Sequence, residues 1–384
     1  MELRNHLSAV RKARGVAAAD LARRAGVSRQ TIYAIEAGSY VPNTEVTLRL
    51  ARELEVPVEQ LFSLGGAEPS SQVRPQPVPF EVLSALPTAK GLPVRLCRVG
   101  DRLVGVPVQA VPYQIPEADG VMIAASKATR GDGQQASLSP FPPQDESGTA
   151  VQRRIAIAGC DPASGLVARM AERKSEGGLE IVSAPASSKL ALKWLQQGKV
   201  HIAGAHIEDA ETGEFNLPYL KRHWPGEDFA VVNFARWEEG LVTAPGNPLG
   251  IKTVAALAHR GVRFINREPG SGSRSLLDRM LKDAQVPAAK VGGYERIAYG
   301  HLAAAYLVHT GDADCCLATR SAANAFGLDF VPLRAERYDF VLRRETLELP
   351  AVQMFLDVLQ RSNLRRKLEV LAGYDTSQTG AVLA

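Results

Sequence analysis

Sequence patterns indicate a multidomain protein with an all-α N-terminal domain, a small β insert and a C-terminal α/β domain of two lobes. Three observations support this prediction. Helical periodicity dominates residues 1–64, and 12 of the 24 prolines fall in residues 65–150. Short apolar runs alternate with amphipathic stretches over residues 151–384. We therefore expect a helical domain in residues 1–64, Pro-rich linkers around a β module in 65–150, and an α/β domain in 151–384.

Composition excludes several classes of protein. The chain of 384 residues has room for two or three domains, and its net charge of +4 is too balanced for a nucleic-acid coat protein. No apolar run approaches the roughly 18 residues of a membrane span, and the N-terminus lacks the apolar core of a signal peptide. None of the four cysteines lies in a CxxC or Cys/His metal spacing. We expect a cytoplasmic protein without a membrane partner, bound metal or cofactor.

The first domain has the pattern of a helix-turn-helix. Gly26 ends one helix, Ser28 is a good N-cap for the next, and that second helix opens with Arg29 and Gln30. Such a helix places its first residues against base edges, where Arg favours guanine and Gln favours adenine. Inward-facing positions are Ala25, Val27, Ile32 and Ile35. The predicted DNA-binding residues on the outer side are Ser28, Arg29, Gln30, Thr31 and Tyr33.

Charge within this domain is segregated. Residues 1–29 contain seven Lys/Arg and two acidic residues, whereas residues 30–62 contain two Arg and five Glu. The basic half is therefore expected to lie along DNA phosphates.

Residues 1–64 resemble the Xre/Cro family of helix-turn-helix repressors. The resemblance rests on LARRAGVSRQTIYAIEAG (21–38), on Pro42-Asn43 and on LARELEVPVEQLF (50–62). The family usually opens its second helix with Ser-Gln, whereas this chain has Ala17-Ala18. The resemblance implies operator DNA as a partner and adds Asn43 to the DNA-binding residues. Because one such head reads few bases, we expect a homodimer. The alternative is a helical bundle used for dimerisation.

The β insert is expected to be a discrete module. The segment PVRLCRVGDRLVGVPV (93–108) predicts two strands around Gly100-Asp101, a hairpin signal. Pro- and Gly-rich flanks at 67–80 and 131–148 predict flexible linkers that proteases cut first.

The C-terminal region predicts strands separated by helices, hence a parallel sheet with helices on both faces and ligands beyond the carboxyl ends of its strands. The sharpest signal is NREPGSGSRSLLDRML (266–281), where a strand runs through a Gly/Ser turn into a helix. Backbone N–H groups and the helix dipole make such a turn an anion site. Its predicted ligand-binding residues are Arg267, Ser271, Ser273 and Arg274.

Other strand-to-helix turns provide weaker candidates. The predicted ligand-binding residues there are Cys160, Asp161, Ser187, Ser188, His206 and Trp237, with Arg236, Tyr299, His301 and Asp314 as further donors. No GxSxG elbow, HExxH motif or clear carboxylate pair is present. Cys160 at a helix start could be a nucleophile, but a small buried residue beside an N-cap is the simpler interpretation. We predict no catalytic residue.

Residues 151–380 resemble the type II periplasmic-binding-protein fold, especially the branch of molybdate- and tungstate-binding proteins. The matching segments include AGCDPASGL, NREPGSGSR and GYDTSQTG. The resemblance implies two lobes, roughly 151–245 with the C-terminal end and 246–340, that close on a ligand. It also implies an oxyanion held by Arg267, Ser271 and Ser273. Asp161 departs from the hydroxyl residues of oxyanion-binding relatives, which leaves a small metabolite with an amine or hydroxyl as the other possibility.

Together these features predict a one-component transcription regulator that binds operator DNA and senses a small, anionic ligand. The alternatives are an enzyme acting on a phosphorylated or pterin-like substrate, fused to a DNA-binding head, and an adaptor that does not bind DNA.

Overall fold

A computed structural model describes residues 3–64, 77–108, 117–125, 134–141, 153–175, 178–370 and 373–384. The chain divides into two compact units, Met1–Arg74 and Pro75–Ala384, and each is described by itself. Residues 67–76, 131–133 and 142–148 of the two Pro-rich flanks lie outside the described residues, and for them the linker prediction stays a prediction. For residues 78–80 and 135–140 the prediction is wrong, because these residues form strands. Of the helices in the described part of the chain, none is long and apolar enough to cross a membrane.

The first unit is a helical domain closed by a short strand pair. Its helices are α1 (Leu7–Ala13), α2 (Ala18–Ala25), α3 (Arg29–Glu36), α4 (Thr44–Leu54) and α5 (Val58–Leu61), and strands β1 (Leu3–Asn5) and β2 (Phe62–Leu64) pair antiparallel. The predicted inward positions Ala25, Ile32 and Ile35 are fully buried in one core. Val27 packs against that core, so the predicted inner face is confirmed.

Local signals define the turn between α2 and α3. Gly26 adopts a left-handed φ of 68°, which a residue without Cβ tolerates, and it ends α2. The Ser28 hydroxyl accepts a hydrogen bond from the Thr31 amide at 3.0 Å and caps α3. At the start of α2, Ala17 provides no side-chain cap.

The β insert forms a closed barrel. Its strands are β3 (Val78–Val82), β4 (Pro93–Val99), β5 (Arg102–Pro107), β6 (Gly120–Ala125) and β7 (Gln135–Pro140), in the order β3-β5-β4-β6-β7. The predicted hairpin is confirmed, because β4 and β5 pair antiparallel and Val99 faces Arg102 across the turn.

This barrel packs on the α/β domain, unlike the expected discrete module. Val94 and Leu96 of β4 fill the barrel interior, whereas Cys97 and Val99 on its other face join the core of the α/β sheet. A strand that is apolar on both faces must bury both, so the barrel and the sheet share one hydrophobic core. Arg154 adds an ion pair to Asp119 at 2.6 Å.

The α/β domain is built on a mixed sheet with the order β13-β12-β14-β11-β15-β10-β8-β9. Its strands are β8 (Arg154–Gly159), β9 (Glu180–Pro185), β10 (Ile202–Ala205), β11 (Phe229–Thr243), β12 (Phe264–Arg267), β13 (Ile297–Ala298), β14 (Cys315–Thr319) and β15 (Asp329–Arg343). Its helices are α6 (Ser164–Lys174), α7 (Ser188–Gln196), α8 (Leu217–His223), α9 (Gly272–Asp283), α10 (His301–His309), α11 (Arg320–Ala325), α12 (Pro350–Leu359) and α13 (Ser362–Val370). Short 3₁₀ turns cover Val254–Ala258, Ala288–Lys290 and Arg344–Glu348.

Two lobes share two long strands. Parallel pairs β8–β9, β8–β10, β12–β13 and β12–β14 follow the prediction, whereas β11 and β15 run antiparallel along their full 15 residues each. The first lobe has buried clusters on both sheet faces, and so does the second. The β11–β15 register shifts between Asn233 and Ala235 and again between Glu239 and Gly240. These irregularities lie where the chain passes from one lobe to the other.

Candidate functional site

The start of α3 presents polar side chains to solvent. Arg29 and Gln30 are exposed, and the Tyr33 side chain is 45% exposed. The Arg29 guanidinium donates to the Tyr33 hydroxyl at 2.9 Å and lies over its ring. Thr31 is half-buried, and Asn43 caps α4 by accepting from the Val46 amide. The predicted DNA-binding residues therefore lie at or near the accessible N-termini of α3 and α4.

Arg11 is one of the basic residues counted in 1–29, but it does not contribute to a basic surface. Arg11 is 9% exposed and makes two hydrogen bonds to the Glu36 carboxylate, at 2.6 and 3.1 Å. Burial alone lowers the pKa of a guanidinium, but here the hydrogen bond to Glu36 is the larger effect and raises the pKa of Arg11. Its charge is therefore neutralised inside the domain, where it ties α1 to α3.

In the second unit, a set of mostly buried polar side chains meets between the two lobes. We call this set the interlobe cluster. Its members come from the ends of β8, β10 and β12, from the start of α10, and from the middle of β11 and β15. They are Cys160, His206, Glu239, Arg267, Glu268, His301 and Glu336. All are at most 5% exposed except Cys160, which is half-buried. The sequence predicted that donors at the carboxyl ends of several strands come together, and the structure shows this for β8, β10 and β12.

The first half of the cluster is a chain of three side chains. The Cys160 sulfur lies 3.4 Å from His206 Nε2, and His206 Nδ1 lies 2.6 Å from a Glu336 oxygen. Trp237 and Tyr338 pack against the imidazole, with ring centroids 5.3 and 5.9 Å away. This packing holds the His206 ring in one orientation.

The second half is centred on Arg267, whose side chain is 1% exposed. Its guanidinium donates to both Glu268 oxygens, at 2.8 and 3.0 Å, and to the Ser273 hydroxyl at 3.4 Å. The Ser273 hydroxyl in turn donates to Glu239 at 2.9 Å. The arginine of the predicted anion turn thus already has a carboxylate partner within the protein.

Several polar atoms in the cluster, or packed against it, have no hydrogen-bond partner among the described residues. They are both ring nitrogens of His301, Glu239 Oε2 and Trp237 Nε1. His301 and Glu239 approach each other, but the gap from Nδ1 to Oε1 is 3.6 Å. Buried polar atoms without partners are costly, so these atoms mark the cluster as a candidate binding site.

Burial and neighbouring charges shift the pKa values of the cluster members in different directions. Burial raises the pKa of Glu239 to about 8, and the charge of Glu336 adds to the shift. Burial also lowers the pKa of His301 well below its usual value, and the charges of Arg267 and His206 reinforce this. Burial opposes the charged form of His206, yet Cys160 and Glu336 outweigh it and raise its pKa. At neutral pH the His301 ring is therefore uncharged.

Beside the cluster, Asp161 has its own partners. The Tyr374 hydroxyl donates to one carboxylate oxygen at 3.0 Å, and the Ala163 amide donates to the other at 2.6 Å. Burial nevertheless raises the pKa of Asp161 to about 7.

A cavity of about 1170 Å³ opens beside the cluster and is lined by the barrel and both lobes. The barrel contributes Leu83 and Val106, and the β8–α6 turn contributes Cys160 and Asp161. His301 belongs to the second lobe, as do other lining residues of α10. None of the described residues that line the cavity is a lysine or an arginine. The first residues of α6 and α10 line it as well, and at these helix ends the Ala163 amide donates to Asp161 and the Gly300 amide donates to Glu268.

The sequence-predicted ligand residues take different places. Cys160 and Asp161 line the cavity. His206, Trp237, Arg267 and Ser273 lie in or against the buried cluster. Ser271 caps α9 by accepting from the Arg274 amide, and the Ser188 hydroxyl accepts from the His206 amide. Ser187 is buried at the N-cap of α7, and the Arg274 guanidinium stacks on Tyr294. Their role in ligand binding stays a prediction.

Sequence reasoning missed three acidic members of the cluster, Glu239, Glu268 and Glu336. Glu239 and Glu268 lie within or directly after apolar strands, where a carboxylate was the available signal, whereas Glu336 lies in the charged stretch RAERYD, which offered none. Asp314 is instead paired with Arg263 in an exposed ion pair, and Arg236 faces solvent, away from the cluster.

Comparison with known proteins agrees with this architecture. Residues 7–61 match the helix-turn-helix family, and residues 168–360 match the PBP superfamily domain. The Bacillus subtilis protein YvgK is 39% identical over 189 residues, which are 49% of this chain and 61% of YvgK. An HTH-type transcriptional regulator of Methanocaldococcus jannaschii is 38% identical over 60 residues, 16% of this chain and 91% of that protein.

Solved structures with similar folds include two ligand complexes. One is a putative phosphate transporter substrate-binding protein from Clostridium perfringens with bound phosphate, at 15% identity and a TM-score of 0.44, covering 58% of this chain and 99% of that chain. The other is the effector binding domain of QuiR in complex with shikimate, at 14% identity and a TM-score of 0.39, covering 53% and 94%. From the matched residue ranges, the chain belongs to the PBP superfamily and carries a helix-turn-helix domain at its N-terminal end.

Proposed function

We propose that this protein is a transcription regulator that binds operator DNA through α3 and a small molecule in the interlobe cavity. The observation that carries the proposal is the pairing, in one chain, of a helix-turn-helix domain with an exposed α3 N-terminus and a two-lobe domain with a large cavity. Ligand binding that favours one arrangement of the lobes changes DNA affinity, and DNA must change ligand affinity by the same factor.

The DNA-binding half is tested on the full chain with a duplex selected by the wild-type protein from a random-sequence library. Replacing Arg29 or Gln30 with Ala should weaken binding to that duplex by roughly 1–3 kcal/mol and spare binding to poly(dI-dC). Arg52→Ala is the matched control, since this arginine is 76% exposed on α4. Wild-type affinity in both α3 variants would contradict the recognition-helix assignment.

The ligand is proposed to be a small anion, either an oxyanion or an anionic metabolite. The support is the position of the α6 and α10 N-termini at the cavity wall, where no arginine or lysine lies among the described lining residues. An anion there would have to replace Asp161 and Glu268, which accept hydrogen bonds from the Ala163 and Gly300 amides at these two helix ends. Both helices are long enough for their backbone dipoles to favour negative charge. The apolar lining from Leu83 and Val106 would contact the uncharged part of a metabolite.

Leu302 offers a sharp test of ligand charge. It is the second residue of α10, lines the cavity and is 40% exposed, so polar substitutions are tolerated there. Thermal shifts of the full chain are measured with molybdate, tungstate and phosphate. Leu302→Asp should weaken anion binding about tenfold relative to Leu302→Asn, which has the same shape without the charge. Equal binding by the two variants would contradict an anion at this helix.

A homodimer is proposed because two heads on one operator read two half-sites about one helical turn apart. Sedimentation equilibrium of the full chain, with and without the selected duplex, tests this. A complex of one chain per duplex would contradict it.

An enzyme is the second candidate function. Cys160, His206 and Glu336 have the order of a nucleophile, a base and an orienting carboxylate, with Cys160 facing the cavity. Turnover of phosphorylated and pterin substrates by the full chain, lost in Cys160→Ala, would favour it. No turnover above that of Cys160→Ala would contradict it.

A further inference from the structure

Three soft or borderline donors converge at the wall of the cavity. The donor atoms of Cys160, His206 and His301 all lie within 4.8 Å of one another. Cys160 follows β8, His206 follows β10 and His301 opens α10, so both lobes contribute. Thiolate and imidazole are the ligands that zinc-class cations prefer in proteins. We propose that these three side chains bind one Zn²⁺-class cation between the lobes.

The distance between two of the donors already suits a tetrahedral ion. With Zn–S near 2.3 Å and Zn–N near 2.0 Å, the sulfur and nitrogen ligands of one tetrahedral site are about 3.5 Å apart. The Cys160 sulfur lies 3.4 Å from His206 Nε2. Both remaining separations involve His301 and are at most 4.8 Å, so closing the site requires the His301 ring to move by roughly 1 Å.

Each imidazole has a buried carboxylate behind it. Glu336 lies 2.6 Å from His206 Nδ1, which directs the other nitrogen, Nε2, toward Cys160. Glu239 Oε1 lies 3.6 Å from His301 Nδ1. Histidine ligands of metal ions usually donate their second N–H to a carboxylate, which fixes the ring and strengthens its donation. The second partner of His206 is therefore in place, and that of His301 lies just beyond hydrogen-bond distance.

The unpartnered atoms point to the same occupant. His301 is 1% exposed, and neither of its ring nitrogens has a hydrogen-bond partner among the described residues. An ion bound through one nitrogen would satisfy that atom and would draw the other toward Glu239. A cluster held together only by its internal hydrogen bonds would leave both buried nitrogens without partners, which is unfavourable for polar atoms out of contact with water.

Such a site leaves one coordination position open. Cys160 and His301 line the cavity, whereas His206 lies behind them. Three protein ligands and one free position are typical of zinc sites that bind a further small molecule. A donor atom of the ligand in the cavity would complete the coordination, and Cys160 would lose its proton to solvent on metal binding. The inference goes beyond the proposed function, and its test requires neither DNA nor effector.

The test uses untagged full-length protein, stripped with a chelator and then titrated with Co²⁺ as a spectroscopic substitute for Zn²⁺. We expect saturation at one ion per chain, a sulfur-to-cobalt charge-transfer band and the strong visible bands of a four-coordinate ion. Zn²⁺ should bleach both. Absence of the sulfur band in the wild-type protein would overturn the proposal without reference to any variant.

Variants then assign the ligands. Cys160→Ser should abolish the charge-transfer band, and His301→Gln should weaken Zn²⁺ binding by at least about 100-fold. Glu336→Gln should weaken it by about 10–100-fold and keep the sulfur band, as expected of a residue that positions His206. His259→Gln is the matched control, because this exposed histidine of the second lobe is not among the residues that line the cavity, and it should bind normally. Unchanged Zn²⁺ affinity in both folded ligand variants, or metal loss in His259→Gln alone, would overturn the proposal.

Discussion

Replacement of Arg154 tests how the barrel is held on the α/β domain. Its side chain is 6% exposed and lies between the barrel and the first lobe. One guanidinium nitrogen donates to Asp119 at 2.6 Å and to the Leu96 carbonyl at 2.9 Å, while Nε donates to Glu180 at 2.7 Å. Arg154→Met keeps most of the side-chain volume and removes all three bonds.

The expected cost follows from the burial of each partner. Asp119 is 17% exposed, and removing one partner of a largely buried pair costs about 3 kcal/mol at the lower end of the usual range. Glu180 is 41% exposed, so solvent screens that pair and its share is below about 1 kcal/mol. We therefore expect a loss of roughly 3–4 kcal/mol in the free energy of unfolding. For a unit that spans Pro75–Ala384 this corresponds to a fall in Tm of roughly 5–6 °C.

Thermal unfolding followed by circular dichroism and by tryptophan fluorescence measures this change. Trp194 and Trp224 belong to the core that the barrel shares with the sheet, so fluorescence reports on that contact. Arg153→Met is the matched control, because this neighbouring arginine is exposed. If the two variants unfold within about 1 °C of each other, the buried ion pair does not hold the barrel and the reasoning is refuted.

Two further predictions concern a close contact and a buried base. A Cβ at Gly204 would overlap the Tyr338 hydroxyl, so Gly204→Ala should lower the free energy of unfolding by about 1–3 kcal/mol. Gly165→Ala, in the open first turn of α6, is the matched control and should leave the free energy of unfolding unchanged or raise it by up to about 1 kcal/mol. Equal effects of the two substitutions in urea titrations would refute the close contact at Gly204. Burial lowers the pKa of His201 to about 4, and its Nδ1 accepts a hydrogen bond from the Ala156 amide.

Since the unfolded His201 ring takes up a proton near pH 6.5 and the folded ring only near pH 4, its contribution to stability is complete above pH 6.5 and is lost as the pH falls through this window. The wild-type free energy of unfolding should therefore fall by roughly 2 kcal/mol more than that of His201→Asn between pH 7.5 and pH 5. Asn is chosen because its amide oxygen can accept the same backbone hydrogen bond. Parallel pH profiles for the two proteins would contradict a neutral buried ring.

Much of the fold could be predicted because its signals are local. Ser28 and Gly26 define the turn before α3 through one cap and one left-handed residue, and both act within four residues of chain. The Gly100-Asp101 hairpin is equally local. The sharp NREPGSGSR turn also formed as a capped helix start, with Ser271 as its N-cap. Caps, turns and hydrophobic periodicity can be recognised in a single sequence because they depend on residues close together in the chain.

The sequence did not show which charged residues pair with each other. Arg11 counted toward a basic surface, yet it pairs with Glu36 inside the first unit, 25 residues away in sequence. Arg267 looked like a free anion anchor, yet the adjacent Glu268 binds it. Whether a charge is available depends on which carboxylate the packed chain brings near it, and burial then strengthens that pair.

Composition, helical and strand periodicity, caps and turn residues in the sequence alone determined the helix-turn-helix, the hairpin and the alternating α/β plan. The interlobe cluster was decided by tertiary structure, because its members are spread from Cys160 to Glu336. The antiparallel register of β11 on β15 sets Trp237 opposite Glu336, and the adjacent lobes then bring His206, His301 and Glu239 to the same place. No spacing along the chain encodes that meeting, since it depends on strand register and on how two lobes pack across a shared pair of strands.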